Sequence, residues 1–378
     1  MVRRIDPDPV EAAAAEDAPA AASADLSTLL AGVELPTPIL TASGCAASGR
    51  ELQQFFDLST LGAVVTKSVM LAPRAGRATP RMAETPSGML NAIGLQGPGI
   101  DAFLDTDLPW LVEQGARVVV SIAGNSVEEY AELARRLRDA PGVTAVEVNI
   151  SCPNVEDRGQ VFACDKWAAA RVLRGVRRET PPGVPVLAKL TPDVTDIVEV
   201  AHACVDAGAD GLTLVNTLLG MVIDPRTMRP ALAAGTGGLS GPAIRPVAVR
   251  CIWQVRAALP DVTILGVGGV RTGADALELV LAGADAVSVG TATFGDPTAP
   301  VRVQTELAEL LVERGFAAYS DAVGYAHRPP DLARTGASPV IDGDSALVAP
   351  AKVADEHAGG EIAADEQVGG APAVSAGA

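Results

Sequence analysis

From about residue 25 to 335 the chain alternates, without a break, short apolar runs with amphipathic stretches of helical period. That pattern belongs to successive βα units, in which a strand buried on both faces is followed by a helix that covers it. The apolar runs fall at 38–42, 63–67, 117–122, 145–150, 186–189, 211–215, 263–266 and 286–289, and the helical stretches include 127–139, 166–179, 194–207, 242–259 and 274–282. Helix-start signals precede several of the latter: Asn125-Ser126, Asp165, and Thr272-Gly-Ala-Asp275. Others close on a glycine, as at Gly208 and Gly283. Eight such units predict an α/β fold of the (β/α)8 TIM-barrel type over 25–335, a span suited to a barrel of roughly 250–300 residues.

The flanks differ. Residues 1–24 and 336–378 are rich in Ala, Gly, Asp, Glu and Pro without apolar period, and both are expected to be disordered tails. Aromatics make up 3% of the chain against 38 glycines, a balance that suits close helix-on-strand packing. The formal charge of −17, part of it in the tails, argues against nucleic-acid or anionic-membrane partners. Five scattered cysteines form no CxxC pair, which points to reduced thiols. With no apolar leader segment and no run of ~18 apolar residues, a cytoplasmic protein is expected. The three histidines are not clustered, so no metal site is expected.

Residues just past the strands of such a barrel face the ligand. Here they are Ala42-Ser43-Gly44, Lys67-Ser68, Ala123-Gly-Asn125, Asn149, Lys189, Asn216-Thr217, Gly268-Gly269 and Gly290-Thr291. Nearly every strand delivers a polar group or a glycine. Two connections, 68–100 after the second strand and 217–241 after the sixth, are too long for plain loops and are expected to build the site.

The segments Gly266-Val-Gly-Gly269 and Val289-Gly-Thr-Ala292 read as a phosphate cradle: glycines allow backbone to approach a ligand, and following helix N-termini favour an anion. Lys67 and Lys189 each end an apolar strand, where an ammonium needs a partner. Each could serve as a cation against a cofactor or phosphate, or as a Schiff-base nucleophile in a cofactor-free lyase. Cys152 lies two residues past the fourth strand in the turn Ser151-Cys-Pro-Asn154. A thiol there, with a reference pKa of about 8.5, can accept a proton near neutrality after modest tuning.

These motifs, together with Ala42-Ser-Gly-Cys45, Pro80-Arg-Met-Ala-Glu-Thr85, Gly88-Met-Leu-Asn-Ala-Ile-Gly-Leu-Gln96, Val215-Asn-Thr217 and Thr236-Gly-Gly-Leu-Ser-Gly-Pro-Ala243, resemble the class 1 dihydroorotate dehydrogenases. The Asn-Ala-Ile-Gly-Leu-Gln and Gly-Gly-Leu-Ser-Gly-Pro-Ala-Ile segments look like the subclass 1B catalytic subunit rather than the fumarate-using 1A. The resemblance implies FMN as cofactor and Cys152 as the base that removes the C5 proton of dihydroorotate. It implies substrate contacts from Lys67, Asn91, Asn149, Asn154, Asn216 and Thr217. It places Ala42, Ser43, Gly44, Lys67, Ser68, Asn149, Lys189 and Val215 around the flavin, with Gly241, Gly268, Gly269, Gly290 and Thr291 at its phosphate. Subclass 1B chains form homodimers and assemble as heterotetramers with a subunit carrying FAD and an iron–sulfur cluster, which passes electrons to NAD. This chain has no cysteine cluster and no dinucleotide fingerprint for those groups, so the resemblance assigns them to another polypeptide.

Overall fold

Strands that are apolar on both faces need cover on both sides, and eight of them in this chain find it by rolling into a barrel. The computed structural model describes residues 23–151 and 165–329. The described chain begins with an antiparallel hairpin, β1 (Thr28–Leu30) and β2 (Val33–Leu35). Leu30 and Leu35 are fully buried and cluster with Leu40, Val65, Val119, Leu187 and Leu265, which point into the barrel. Thr28 Oγ1 donates to Asp285 O at 2.8 Å and Ala31 N to Thr263 Oγ1 at 3.2 Å, so the hairpin plugs the end where the strands begin.

The barrel proper starts with β3 (Ile39–Thr41) and β4 (Val64–Val65). Two short 3-10 turns, Leu52–Gln54 and Leu58–Thr60, make the crossover between them. The long connection after β4 holds β5 (Met82–Thr85) and β6 (Gly88–Asn91), then α1 (Ile100–Ala102), a π-helical turn and α2 (Leu108–Glu113). Regular βα units follow: β7 (Val118–Ile122), α3 (Val127–Leu137), β8 (Val143–Asn149), α4 (Lys166–Glu179), β9 (Val186–Leu190), α5 (Ile197–Asp206) and β10 (Gly211–Leu214). The second long connection carries β11 (Leu218–Met221), β12 (Ile223–Asp224), β13 (Arg229–Pro230) and β14 (Thr236–Ser240). The chain ends its circuit with α6 (Arg245–Ala258), β15 (Thr263–Val267), α7 (Gly273–Ala282), β16 (Ala286–Val289), α8 (Ala299–Glu313) and the single turn α9 (Tyr319–Ala322).

Around the barrel the order is β3-β16-β15-β10-β9-β8-β7-β4, all parallel, and β3 meets β4 through the Leu40–Ala63 bridge and the Gly62 N to Ile39 O bond of 2.8 Å. Each helix lays an apolar stripe on the strands. In α3 the buried residues are Tyr130, Leu133, Ala134 and Leu137, at helical spacing, with arginines on the opposite side. Caps fix where helices start: Ser126, Asp165 and Asp196 accept from first-turn amides, and Thr272 with Asp275 forms a reciprocal capping box. The Asp196 cap is why the helix expected from 194 begins at Ile197. Gly208 and Gly283 adopt positive φ at helix ends. Among the described residues no helix is long and apolar enough to cross a membrane.

The two long connections are structured, and they interlock. β11, β14, β6 and β5 form a four-stranded antiparallel sheet beyond the ends of β4 and β10, with its own small core of Leu90, Ala92 and Leu232.

Candidate active site

The strand period sets what the barrel interior presents. Rising along β8 the inward positions are Ala145, Glu147 and Asn149, and along β9 they are Leu187 and Lys189. The interior thus passes from apolar near the hairpin plug to charged and polar at the mouth. Glu147 and Lys189 are 1% and 4% exposed, and Lys189 Nζ stands 3.4 Å from Glu147 Oε1.

Above this pair two adjoining cavities form one cleft. The larger, about 530 Å³, is lined by Ala42, Ser43, Val215, Gly241, Gly268, Gly269, Gly290 and Thr291. The smaller, about 280 Å³, is lined by Gly44, Lys67, Ser68, Asn91 and Asn149. Ser43, Cys45, Lys189, Asn216, Thr217, Ser240 and Thr291 border both. The structure therefore brings the sequence-predicted site residues together, apart from Ala123-Gly-Asn125, which line neither cavity (Ala123 packs with Met70 and Leu95, and Asn125 binds Glu129), and from Cys152 and Asn154, which lie outside the described residues.

A chain of hydrogen bonds fixes the polar wall. Ser43 Oγ meets Ser68 Oγ at 3.3 Å, Asn149 Nδ2 donates to Ser68 Oγ at 2.9 Å, and Ser68 meets the buried Ser121 hydroxyl at 2.9 Å. Asn216 Nδ2 donates to Asn149 Oδ1 at 3.1 Å and to Ser151 Oγ at 2.6 Å, while Thr217 N donates to Asn216 Oδ1 at 2.7 Å. Tyr130 of α3 supports the strand end from behind, its hydroxyl donating to Asn149 O at 2.8 Å. Asn91, at the end of β6, donates to Gly238 O of β14 at 3.3 Å, so the interlocked sheet presents it to the smaller cavity.

The larger cavity has a glycine floor. A Cβ on Gly268 would fall 2.8 Å from Ala248 Cβ, one on Gly269 2.6 Å from Arg245 Cβ, and one on Gly290 3.0 Å from Ala42 Cβ. Gly268 and Gly269 also have φ of +139° and +78°. Side chains are thus excluded at these three positions by the residues packed against them. The expected helix N-terminus behind Gly269 has another role: in α7 the Asp275 amide is bound by Thr272 Oγ1 and the Gly273 amide by Glu306 Oε2 at 2.6 Å. An anion in this cradle has the loop amides and the Thr291 hydroxyl to use, with Arg271 also on the cavity wall.

Four neighbours of the site were missed or left open by the sequence. Glu147 carries the same signal as the lysines, a lone charge in an apolar strand. Ser240, held by Thr291 Oγ1 at 2.8 Å, sits in the Gly-Gly-Leu-Ser-Gly segment. Ser121 is the next-to-last residue of β7, a strand expected to be apolar. Cys45 borders both cavities; burial pushes its thiol up to about 11, against the pull of Lys189 and Lys67, so it stays protonated at neutral pH.

Barrel and cleft together define an α/β-barrel enzyme whose chemistry sits where the strands end, between an anion cradle and a pocket of amides and a lysine. The sequence profile of the family described as dihydroorotate dehydrogenase matches residues 25–311. The dihydroorotate dehydrogenase B (NAD(+)) catalytic subunit of Geobacter sulfurreducens is 51% identical over 300 residues, covering 79% of this chain and 97% of that one. The proteins of that name from Citrifermentans bemidjiense and Anoxybacillus flavithermus are each 50% identical, over 79% of this chain and 97% and 95% of theirs. The chain belongs to the dihydroorotate dehydrogenase family, and the resemblance to subclass 1B read from its motifs is borne out by these relatives.

Proposed function

We propose that this chain oxidises dihydroorotate to orotate in pyrimidine synthesis, with FMN bound along the cleft. The observation that carries the reading is the cleft itself: an anion cradle at one end, a lysine-and-asparagine pocket at the other, and Lys189 bordering both. The residues fit the cofactor. Gly241, Gly268, Gly269, Gly290 and Thr291 would hold its phosphate; Ala42, Ser43, Gly44, Ser68, Val215 and Lys189 would border its ring system. When bound, FMN supplies a two-electron acceptor for the hydride leaving the substrate's C6.

The protein's own groups do the rest. Lys67 faces the substrate carboxylate, and Asn91, Asn149, Asn154, Asn216 and Thr217 match the ring amides with donors and acceptors. The bonds among Asn149, Ser151 and Asn216 fix which amide atoms remain for substrate, so the pocket is oriented before binding. Cys152 follows Ser151 directly in the chain and is the base that takes the C5 proton. Lys189 is ion-paired with Glu147, an arrangement that suits a fixed cation rather than the nucleophile of a Schiff-base lyase. A separate subunit carrying FAD and an iron–sulfur cluster would pass the electrons to NAD, with two copies of this chain at the centre of the assembly, in the cytoplasm.

The test is anaerobic. Purified protein, reconstituted with FMN where needed, is expected to be yellow and to bleach when dihydroorotate is added. The protein alone is expected to reoxidise with neither fumarate nor NAD, and to use NAD once the partner subunit is supplied. A colourless protein that takes up no FMN overturns the reading; fumarate turnover moves the chain to class 1A.

A further inference from the structure

Glu147 stands behind the site without touching the cleft. It borders neither cavity, whereas Lys189, its partner across 3.4 Å, borders both. Seen from the cleft, a cation is at the wall and an anion lies directly behind it. Both side chains are almost fully enclosed by the barrel, on neighbouring strands whose register sets Asn149 beside Lys189 and Glu147 one step lower.

Such a pair is a poor device for stability alone, because desolvating two charges consumes most of the gain from their attraction. Its effect on a neighbour is different. Within a barrel, where the effective dielectric is far below that of water, the field of an uncompensated ammonium reaches across the cleft, and a carboxylate behind it cancels much of that field.

We propose that Glu147 is a positioning residue that holds the Lys189 ammonium at the cleft wall and offsets its charge, thereby setting the reduction potential of the bound flavin. The proposal rests on the FMN reading above. Electrons added to the flavin bring negative charge, which a bare ammonium favours and an ion-paired one favours less. Glu147 then keeps the potential low enough for electrons to leave again toward a weakly oxidising acceptor.

The experiment compares midpoint potentials by anaerobic dye-equilibrated titration of flavin-loaded parent, Glu147→Gln and Glu147→Asp. Glu147→Gln is expected to favour the reduced flavin about tenfold, a positive shift of about 30 mV for a two-electron couple. Glu147→Asp, whose carboxylate is drawn back from Lys189, shifts the same way by less, and it keeps the test alive if the Gln variant fails to fold. Lys189→Gln is expected to shift the potential down. A purely structural role would lower melting temperature or flavin retention and leave the potential in place. An unmoved or lowered potential in Glu147 variants that retain flavin overturns the proposal while leaving the FMN reading intact. A parent that binds no FMN overturns both.

Discussion

At the scale of single residues, the site depends on positions where a side chain is excluded as much as on those where one acts. Gly269 has φ of +78°, and a Cβ there would fall 2.6 Å from Arg245 Cβ and 3.0 Å from Arg245 N. Arg245 is pinned by Asp275 and by Glu278 at 2.7 Å, so it has little room to withdraw. Gly269→Ala therefore strains the backbone by about 1–2 kcal/mol and tilts the cradle. FMN is expected to dissociate roughly tenfold more readily, read by fluorescence of the released flavin; an unchanged dissociation constant would remove Gly269 from the phosphate site. Which residues the sequence disclosed at this scale follows from contrast. Lys67 and Lys189 stood out as charges closing apolar strands. Glu147 made the same contrast one strand earlier, inside Val-Glu-Val-Asn149, yet only the barrel's register shows it beneath Lys189. Cys45 sits in an irregular segment, and Ser240 ends the glycine-rich strand β14, so neither has an apolar period to reveal a facing direction.

Elements tell a similar story. All eight barrel strands were legible because a strand covered on both faces leaves an apolar run with turn residues at each end. The sheet over the mouth was not. Its strands are half-exposed and rich in glycine, and they pair residues far apart in sequence, as when β6 aligns with β14 to set Asn91 opposite Gly238. Their length, and the motifs Gly88–Gln96 and Thr236–Ala243 within them, marked both connections as functional. α8 was also absent from the expected helices, although Val303, Leu307 and Leu311 bury one of its faces. The interlocked sheet carries its own prediction. A Cβ on Gly238 would stand 2.1 Å from Thr217 Oγ1, so Gly238→Ala pushes β14 away from Thr217 and displaces the Asn91 that β14 anchors. Of the cradle, Gly268, Gly269 and Gly290 lie on other loops, and Gly241, which follows β14, is the one glycine that shares this segment. The substitution is expected to lower kcat/KM for dihydroorotate by roughly tenfold or more while flavin content stays at the parent level. Loss of flavin in step with activity would instead tie the sheet to cofactor binding.

For the whole molecule, the enclosed shell between strands and helices has a consequence at high pH. Cys204 of α5 and Tyr319 of α9 are both fully buried. Burial pushes the Cys204 thiol from 9.0 up to about 12 and holds the Tyr319 phenol well above 10.0, the second also repelled by Asp285. In the unfolded chain these groups release protons near their ordinary values, while the folded barrel retains them. The folded state binds the protons more tightly, so its advantage is complete below about pH 9 and is lost as pH rises toward 12. Each such group removes up to about 1.4 kcal/mol per pH unit across its own window. Self-repulsion in a chain of net charge −17 steepens the loss for every variant alike, which makes a single melting curve uninformative. The difference between two proteins cancels that background. Urea unfolding of the parent and of Cys204→Ala at intervals from pH 8 to 11 is expected to give parallel stabilities up to about pH 9. Above it the variant should lose about 1.4 kcal/mol less per pH unit than the parent. Parallel lines throughout would mean that the Cys204 thiol ionises as freely in the barrel as in water.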